Sequence, residues 1–279
     1  MKIAYFDTFS GISGDMTLGA FVDAGLRIDH LTSELGKLNL RGFELSARHL
    51  TRSGVSCTKV DVTVSGAQSH HRHLRGIEEV IDGSDLSQQV KEQSRKIFQI
   101  IGQAEAKIHN VPIEQVQFHE VGALDSIVDI VGTAICLEYF GVEAVYSSAV
   151  RLGSGGSVKT AHGNLPLPSP ATVEVLSGYP VVLTEIPYEL TTPRGAGIIK
   201  ALSRGTLTQE RLRIDRVGYG AGEKTIETVA NFLRILIGEL HWRYQEDEVV
   251  IVETNIDDMN PEFYPFVIEQ LLNSGAHDA

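Results

Sequence analysis

Cysteine is scarce: the 279 residues contain two, Cys57 and Cys136. They lie far apart and form no Cys-x-x-Cys pair, which excludes a disulfide scaffold and a tetrathiolate zinc site and suits a reducing cytoplasm. Long apolar runs are missing too. Met1 leads straight into Lys2-Ile3-Ala4-Tyr5-Phe6 without the hydrophobic stretch of a signal peptide, and the most apolar later segment, Ile127–Leu137, is broken by Asp129. A soluble, unexported protein with no membrane partner is expected. Basic residues are in deficit: 24 Lys+Arg against 36 Asp+Glu leave a net charge of −12, which argues against a broad phosphate-neutralising surface and so against nucleic acid as partner.

What is present is enough apolar material, 42% of residues, for at least one full core, and a length that suits two domains. Twenty-seven glycines, many in short runs, mark loops that turn sharply or approach a ligand. Ile3–Phe6 reads as a strand, the glycine-rich turn after it as a loop, and Met16 to Leu26 as a helix. A second helix fits Leu31–Leu38. Alternation over Phe43–Ala47 and Val55–Val64 predicts an antiparallel pair turning at Arg52-Ser53-Gly54. Val90, Ile97, Ile100, Ile101, Ala104 and Ile108 share one face of a long helix, and a further helix runs from near Gly122 to Tyr139. Tyr146 to Pro170 is too irregular for one element and reads as a functional loop region. Thr192-Pro193 opens another helix, and Arg211–Tyr219 and Asn231–Leu240 read as late strands. The class expected is α+β, with mixed sheet elements at both ends and a central helical block.

From Glu239 onward ten acidic residues face one basic residue, Arg243. That shift predicts a boundary, giving an amino-terminal domain over 1–243, with a subdivision near residue 69 left open, and the start of a second domain over 244–279. Within the latter, Val249–Thr254 reads as a strand and Pro261–Leu272 as a helix, too little to enclose a core.

Ser69-His70-His71-Arg72-His73 sets three imidazoles within four residues at a strand-to-helix junction. They could offer nitrogen ligands to nickel, zinc or copper; a solvated polar linker is the alternative. In Gln117–Asp129, His119 and Glu120 precede a helix on which Asp125 and Asp129, four apart, share a face among apolar neighbours. Like charges held there call for a bound cation or for a raised carboxylate pKa suited to proton transfer, the alternative being capping and a solvated acidic stripe. Asp7-Thr8-Phe9-Ser10-Gly11-Ile12-Ser13-Gly14-Asp15 runs from a strand end into a helix start, where backbone amides attract phosphate or carboxylate. It is no Walker loop, and Asp15 would repel an anion unless a cation intervened, so a capped turn stays open. Gly153–Ser157 with Lys159 and His162, and Thr192-Pro193-Arg194-Gly195, could supply amides and cations to a phosphorylated small molecule. Gly218-Tyr219-Gly220-Ala221-Gly222 lacks the helix that a dinucleotide fingerprint requires. Cys136 reads as core.

Four segments together, Tyr5–Met16, Phe118–Ile130, Ala161–Pro166 and Glu253–Met259, resemble the LarC-type nickel-insertion proteins, in the family's order and across nearly the whole chain. The resemblance implies insertion of Ni2+ into pyridinium-3,5-bisthiocarboxylic acid mononucleotide, giving the nickel-pincer cofactor of lactate racemase, the downstream recipient. That makes the expected protein an insertase of the chelatase, lyase class. Family members continue past Asn255-Ile256-Asp257-Asp258-Met259 into a second domain that binds CTP with a divalent metal. This chain stops earlier, as the amino-terminal product of a split or frameshifted gene or as a shortened piece. CTP use is therefore expected only with a complementary carboxy-terminal domain or chain. Under the resemblance His70, His71 and His73 are assigned to nickel capture, His119 and Glu120 to metal positioning or relay, and Asp125 or Asp129 to proton acceptance or support. Gly11, Ser13 and Gly14, with Arg194, are assigned to the substrate phosphate. The competing expectation is a non-catalytic chaperone module that delivers nickel to a partner carrying that domain.

Overall fold

Ile3, Ala4 and Phe6 bury their side chains in strand β1 (Lys2–Asp7), and the glycine-rich turn after it leads into helix α1 (Gly14–Asp23). Leu31 and Leu35, one turn apart and both fully buried, anchor α2 (Ile28–Gly36). β2 (Phe43–Arg52) and β3 (Val55–Val64) form the expected antiparallel hairpin, turned by Ser53 and Gly54, both at positive φ. α3 (Leu74–Asp82) is followed by the long α4 (Gln88–His109), capped by the Ser87 hydroxyl, which accepts from the Val90 amide at 3.2 Å, and closed by Asn110 in the left-handed region. α5 (Leu124–Tyr139) buries almost its whole circumference. This computed structural model describes residues 1–65, 73–116, 118, 124–160, 162–207, 211–241 and 250–279.

The stretch expected to be an irregular loop carries short strands instead: the end of β4 (Ala144–Ser147), then β5 (Val150–Gly153), β6 (Ser157–Thr160) and β7 (Gly163–Pro166). Four-residue strands broken by Gly and Pro are too short to show a two-residue period. α6 (Pro170–Val175), β8 (Val181–Thr184), α7 (Pro193–Leu202), β9 (Arg211–Ala221) and β10 (Phe232–His241) follow.

Six strands make one sheet in the order β2-β3-β9-β10-β1-β4. β1 runs antiparallel to β10, Lys2 opposite Glu239, and parallel to β4, so the early and late strands of the sequence cover one another's edges. α1 lies across β9 and β3. A side-chain carbon at Gly218 or Gly220 would stand 1.9 or 1.8 Å from a carbonyl of α1, so the Gly-x-Gly-x-Gly run serves close helix-on-sheet packing. Phe6 meets Phe21 edge-on at 6.0 Å and Phe21 stacks on Phe140 at 5.8 Å in a core that α4, α5 and α7 complete.

The chain divides into two compact units, Met1–Arg243 and Tyr244–Ala279. In the second, α8 (Tyr264–Asn273) follows a short turn begun by Asn260, whose Oδ1 accepts from the Glu262 amide at 3.1 Å. The strand expected over 249–254 does not form at its described residues: Val250, Ile251 and Val252 are more than four-fifths exposed. A β-branched run becomes a strand only when a neighbouring strand takes its amides and carbonyls. Among the described residues no helix is long and apolar enough to cross a membrane.

Candidate functional site

Three segments distant in sequence converge at the start of α7. Thr192 caps that helix by accepting from the Gly195 amide at 3.2 Å, and Pro193 follows at its first position. The Thr192 amide donates to the Ile12 carbonyl at 3.0 Å, stitching the β1–α1 turn to it. Gly11, at φ +80°, tightens this seam, since a Cβ there would stand 2.0 Å from the Leu190 oxygen. The third segment is the first turn and a half of α5, where Asp125 and Asp129 project from one face toward Arg194.

Arg194 Nη1 donates to Asp125 Oδ2 and to Asp129 Oδ2, each at 2.8 Å. Asp129 is only 4% exposed, and its second oxygen, Oδ1, is buried without a hydrogen-bond partner among the described residues. Burial pushes the Asp129 carboxyl up to about 7; Arg194 opposes this, the Asp15 and Asp125 charges add to it, and Lys59 again opposes it. Gly14 makes room for the group, because a Cβ there would sit 2.3 Å from Asp129 Oδ2. The cation that the paired aspartates call for is therefore the protein's own arginine, and the raised pKa is present beside it.

A second charged cluster faces the same space. Lys59, buried on β3, bonds to Asp15 and lies 3.2 Å from Glu223 Oε2, while the Ser13 hydroxyl donates to Asp15. Burial works to lower the Lys59 pKa, but the charges of and hydrogen bonds to Asp15 and Glu223 raise it overall. Lys59 is thus the cation that tempers Asp15. Between the clusters lies a cavity of about 880 Å3, lined among others by Ser13, Asp15, Lys59, Asp125, Asp129 and Arg194.

Of the residues singled out from sequence, Asp125, Asp129, Arg194 and Ser13 meet at this cavity, whereas Gly11 and Gly14 pack behind it. His73 stands elsewhere: it precedes α3, exposed, with Nδ1 3.1 Å from the Val116 carbonyl oxygen. His70, His71, His119 and Glu120 lie outside the described residues. Among the described residues no three His, Cys, Asp or Glu side chains converge to enclose a metal ion. Cys136 is fully buried, and burial pushes its thiol far up, as befits core.

A family model described as nickel insertion protein matches residues 4–279. The chain belongs to the nickel insertion protein family. A protein of Geobacter sp. (strain M21), provisionally named a nickel insertion protein, is 49% identical over all of this chain and 72% of its own length. Two proteins of Desulfitobacterium hafniense (strains DCB-2 and Y51), each named pyridinium-3,5-bisthiocarboxylic acid mononucleotide nickel insertion protein, are 47% identical over all of this chain and 70% of theirs. No solved structure matches. In this family member, sequence reasoning missed Lys59 and Glu223. A lysine between Cys57 and Val62 in an apolar strand was a usable signal; Glu223, in a loop, carried none.

Proposed function

We propose that this chain inserts nickel into pyridinium-3,5-bisthiocarboxylic acid mononucleotide and that the ring proton is lost to Asp129. One observation carries the reading: Asp129, which lines the cavity, is a buried carboxylate pushed up to about 7 that keeps one oxygen on Arg194 and has no partner for the other among the described residues. A base poised near neutrality suits abstraction of a carbon-bound proton. In that step the C–H bond at the ring carbon between the two thiocarboxylates breaks and its proton passes to the Asp129 carboxylate. The carbon keeps the electron pair and bonds to nickel, which stays divalent, so neither oxidant nor reductant is needed.

Arg194 holds Oδ2 and so orients Oδ1, and Asp125 shares that guanidinium. Six acidic residues against four basic ones line the cavity, a balance that favours nickel or the pyridinium ring, while Arg48 and Lys224 offer the opposite charge to phosphate. Ser13 is a further candidate for the phosphate. His70, His71 and His73 are our candidates for nickel capture and His119 and Glu120 for relay. CTP with a divalent metal, and lactate racemase as recipient, belong to the same proposal for the longer protein.

The test incubates tag-free chain with Ni2+ and ring-deuterated substrate, with and without CTP and the complementary domain, following pincer absorbance and loss of label. Asp129→Asn should retain the label. Label loss at the unaltered rate in that variant would overturn the assignment, and nickel uptake without pincer in every arm would reduce the chain to a delivery module.

A further inference from the structure

A smaller cavity of about 200 Å3 adjoins the same helix start: Thr192 and Arg194 line the carboxylate cavity, and Pro193, between them, lines this one. Two imidazoles line it side by side. His109 is the last residue of α4, and His162 sits at the turn between β6 and β7, with ring centroids 5.0 Å apart and planes at 44°. We propose that His109 and His162 together bind one divalent transition-metal ion, with Glu105 orienting the His109 ring.

The spacing fits. With metal–nitrogen bonds of about 2.0–2.1 Å, two imidazoles on one ion set their centroids about 4.5 Å apart at a right angle and about 5.2 Å apart at the tetrahedral angle. Glu105 Oε2 lies 3.3 Å from His109 Nε2, one helical turn back, so a carboxylate engages one nitrogen of this ring, as carboxylates do with histidines that ligate metals through the other. His109 also ends a 22-residue helix, whose carbonyl end favours a cation. The turn that presents His162 is held from within: Thr160 Oγ1 accepts from the His162 amide at 3.1 Å and donates to the Gly163 carbonyl at 3.0 Å.

Imidazole donors select a first-row divalent ion over calcium or magnesium. That the ion is nickel rests on the function proposed above; the site itself does not. Both rings are exposed, so an ion can enter from solvent, and two protein ligands leave coordination positions for water or for sulfur donors of an incoming molecule. Such a site suits loading and release rather than storage. It also gives His162, which sequence alone offered to a phosphate, a partner 53 positions away in the chain.

The test uses Ni2+ alone with the tag-free full chain. Modification by diethyl pyrocarbonate is mapped to each histidine by peptide mass spectrometry. Nickel should slow modification of His109 and His162 together, several-fold, and His109→Ala should abolish the protection of His162 while circular dichroism stays unchanged. Glu105→Gln should weaken the nickel affinity read from this protection by about tenfold. Equal rates with and without nickel, or a His162 still shielded in His109→Ala, would overturn the proposal. No heterocycle is added, so failure here leaves the Asp129 reading standing, and failure of label loss leaves this site standing.

Discussion

The two ends of the large cavity are built alike, one cation between two carboxylates, yet they bury opposite partners. At one end Arg194 joins Asp125, 36% exposed, to Asp129, 4% exposed. At the other the cation is the buried member: Lys59 is 4% exposed, while Asp15 and Glu223 keep 26% and 76% of their surface. Burying a lysine between two solvated carboxylates leaves each charge answered and the ammonium more firmly protonated. Burying a carboxylate with one oxygen unanswered raises its proton affinity to the working range of a base. The ion pair is common to both ends; the desolvated partner decides which group has its proton affinity raised.

The largest effect expected from breaking this asymmetry is on catalysis. Asp129→Asn should lower nickel insertion by about 10²–10⁴-fold, the range for loss of a general base, with circular dichroism unchanged. In the unaltered protein, insertion followed by pincer absorbance should rise with pH through about 7, where Asp129 gives up its proton; a flat profile would erase the distinction between the ends. The same titration has a stability consequence. Because the folded-state pKa lies above the unfolded one, Asp129 favours folding at low pH, and that advantage is lost as pH rises from about 4 to about 7. The change is on the order of 4 kcal/mol at most, and Asp129→Asn should flatten it in urea titrations at a series of pH values.

Arg194→Met, which leaves two carboxylates facing each other, should cost about 3–5 kcal/mol at pH 8 by urea denaturation. At pH 5 the loss should be smaller, because Asp129 then holds its proton. Gly14→Ala drives a methyl against Asp129 Oδ2 and should cost about 1–3 kcal/mol, with slower insertion as the carboxylate is displaced. The smallest effect belongs to the solvated end: Glu223→Gln should change stability by less than about 0.5 kcal/mol and leave the pH profile of insertion where it was. A shift of that profile in Glu223→Gln would mean that the two ends titrate together.

Most of the elements were legible in the chain. The β2–β3 hairpin showed in its alternation and its Ser53-Gly54 turn, α4 in its apolar stripe, and α7 in Thr192-Pro193, because each rests on contacts within a few residues. The short strands β5 to β7 were not, since each is defined by a partner and not by its own pattern. Val250–Val252 erred the other way: a local strand pattern that pairs with no neighbour among the described residues. In the site, the four-residue spacing of Asp125 and Asp129 announced a shared face, but Arg194, 65 residues beyond Asp129, could be read only as a cation for some anion.

The sequence by itself determined the α+β class, the longer helices and strands, the family, and the pairing of Asp125 with Asp129 on one helix face. Those follow from periodicity, capping and motif, all properties of neighbours along the chain. Only the tertiary structure decided that Arg194 is the cation between them, that Lys59 meets Asp15, that His109 faces His162, and that Asp129 rather than Asp125 loses its water. Desolvation and charge pairing depend on what arrives from elsewhere in the fold, here the turn at Gly14 and the start of α7, and no local pattern encodes that arrival.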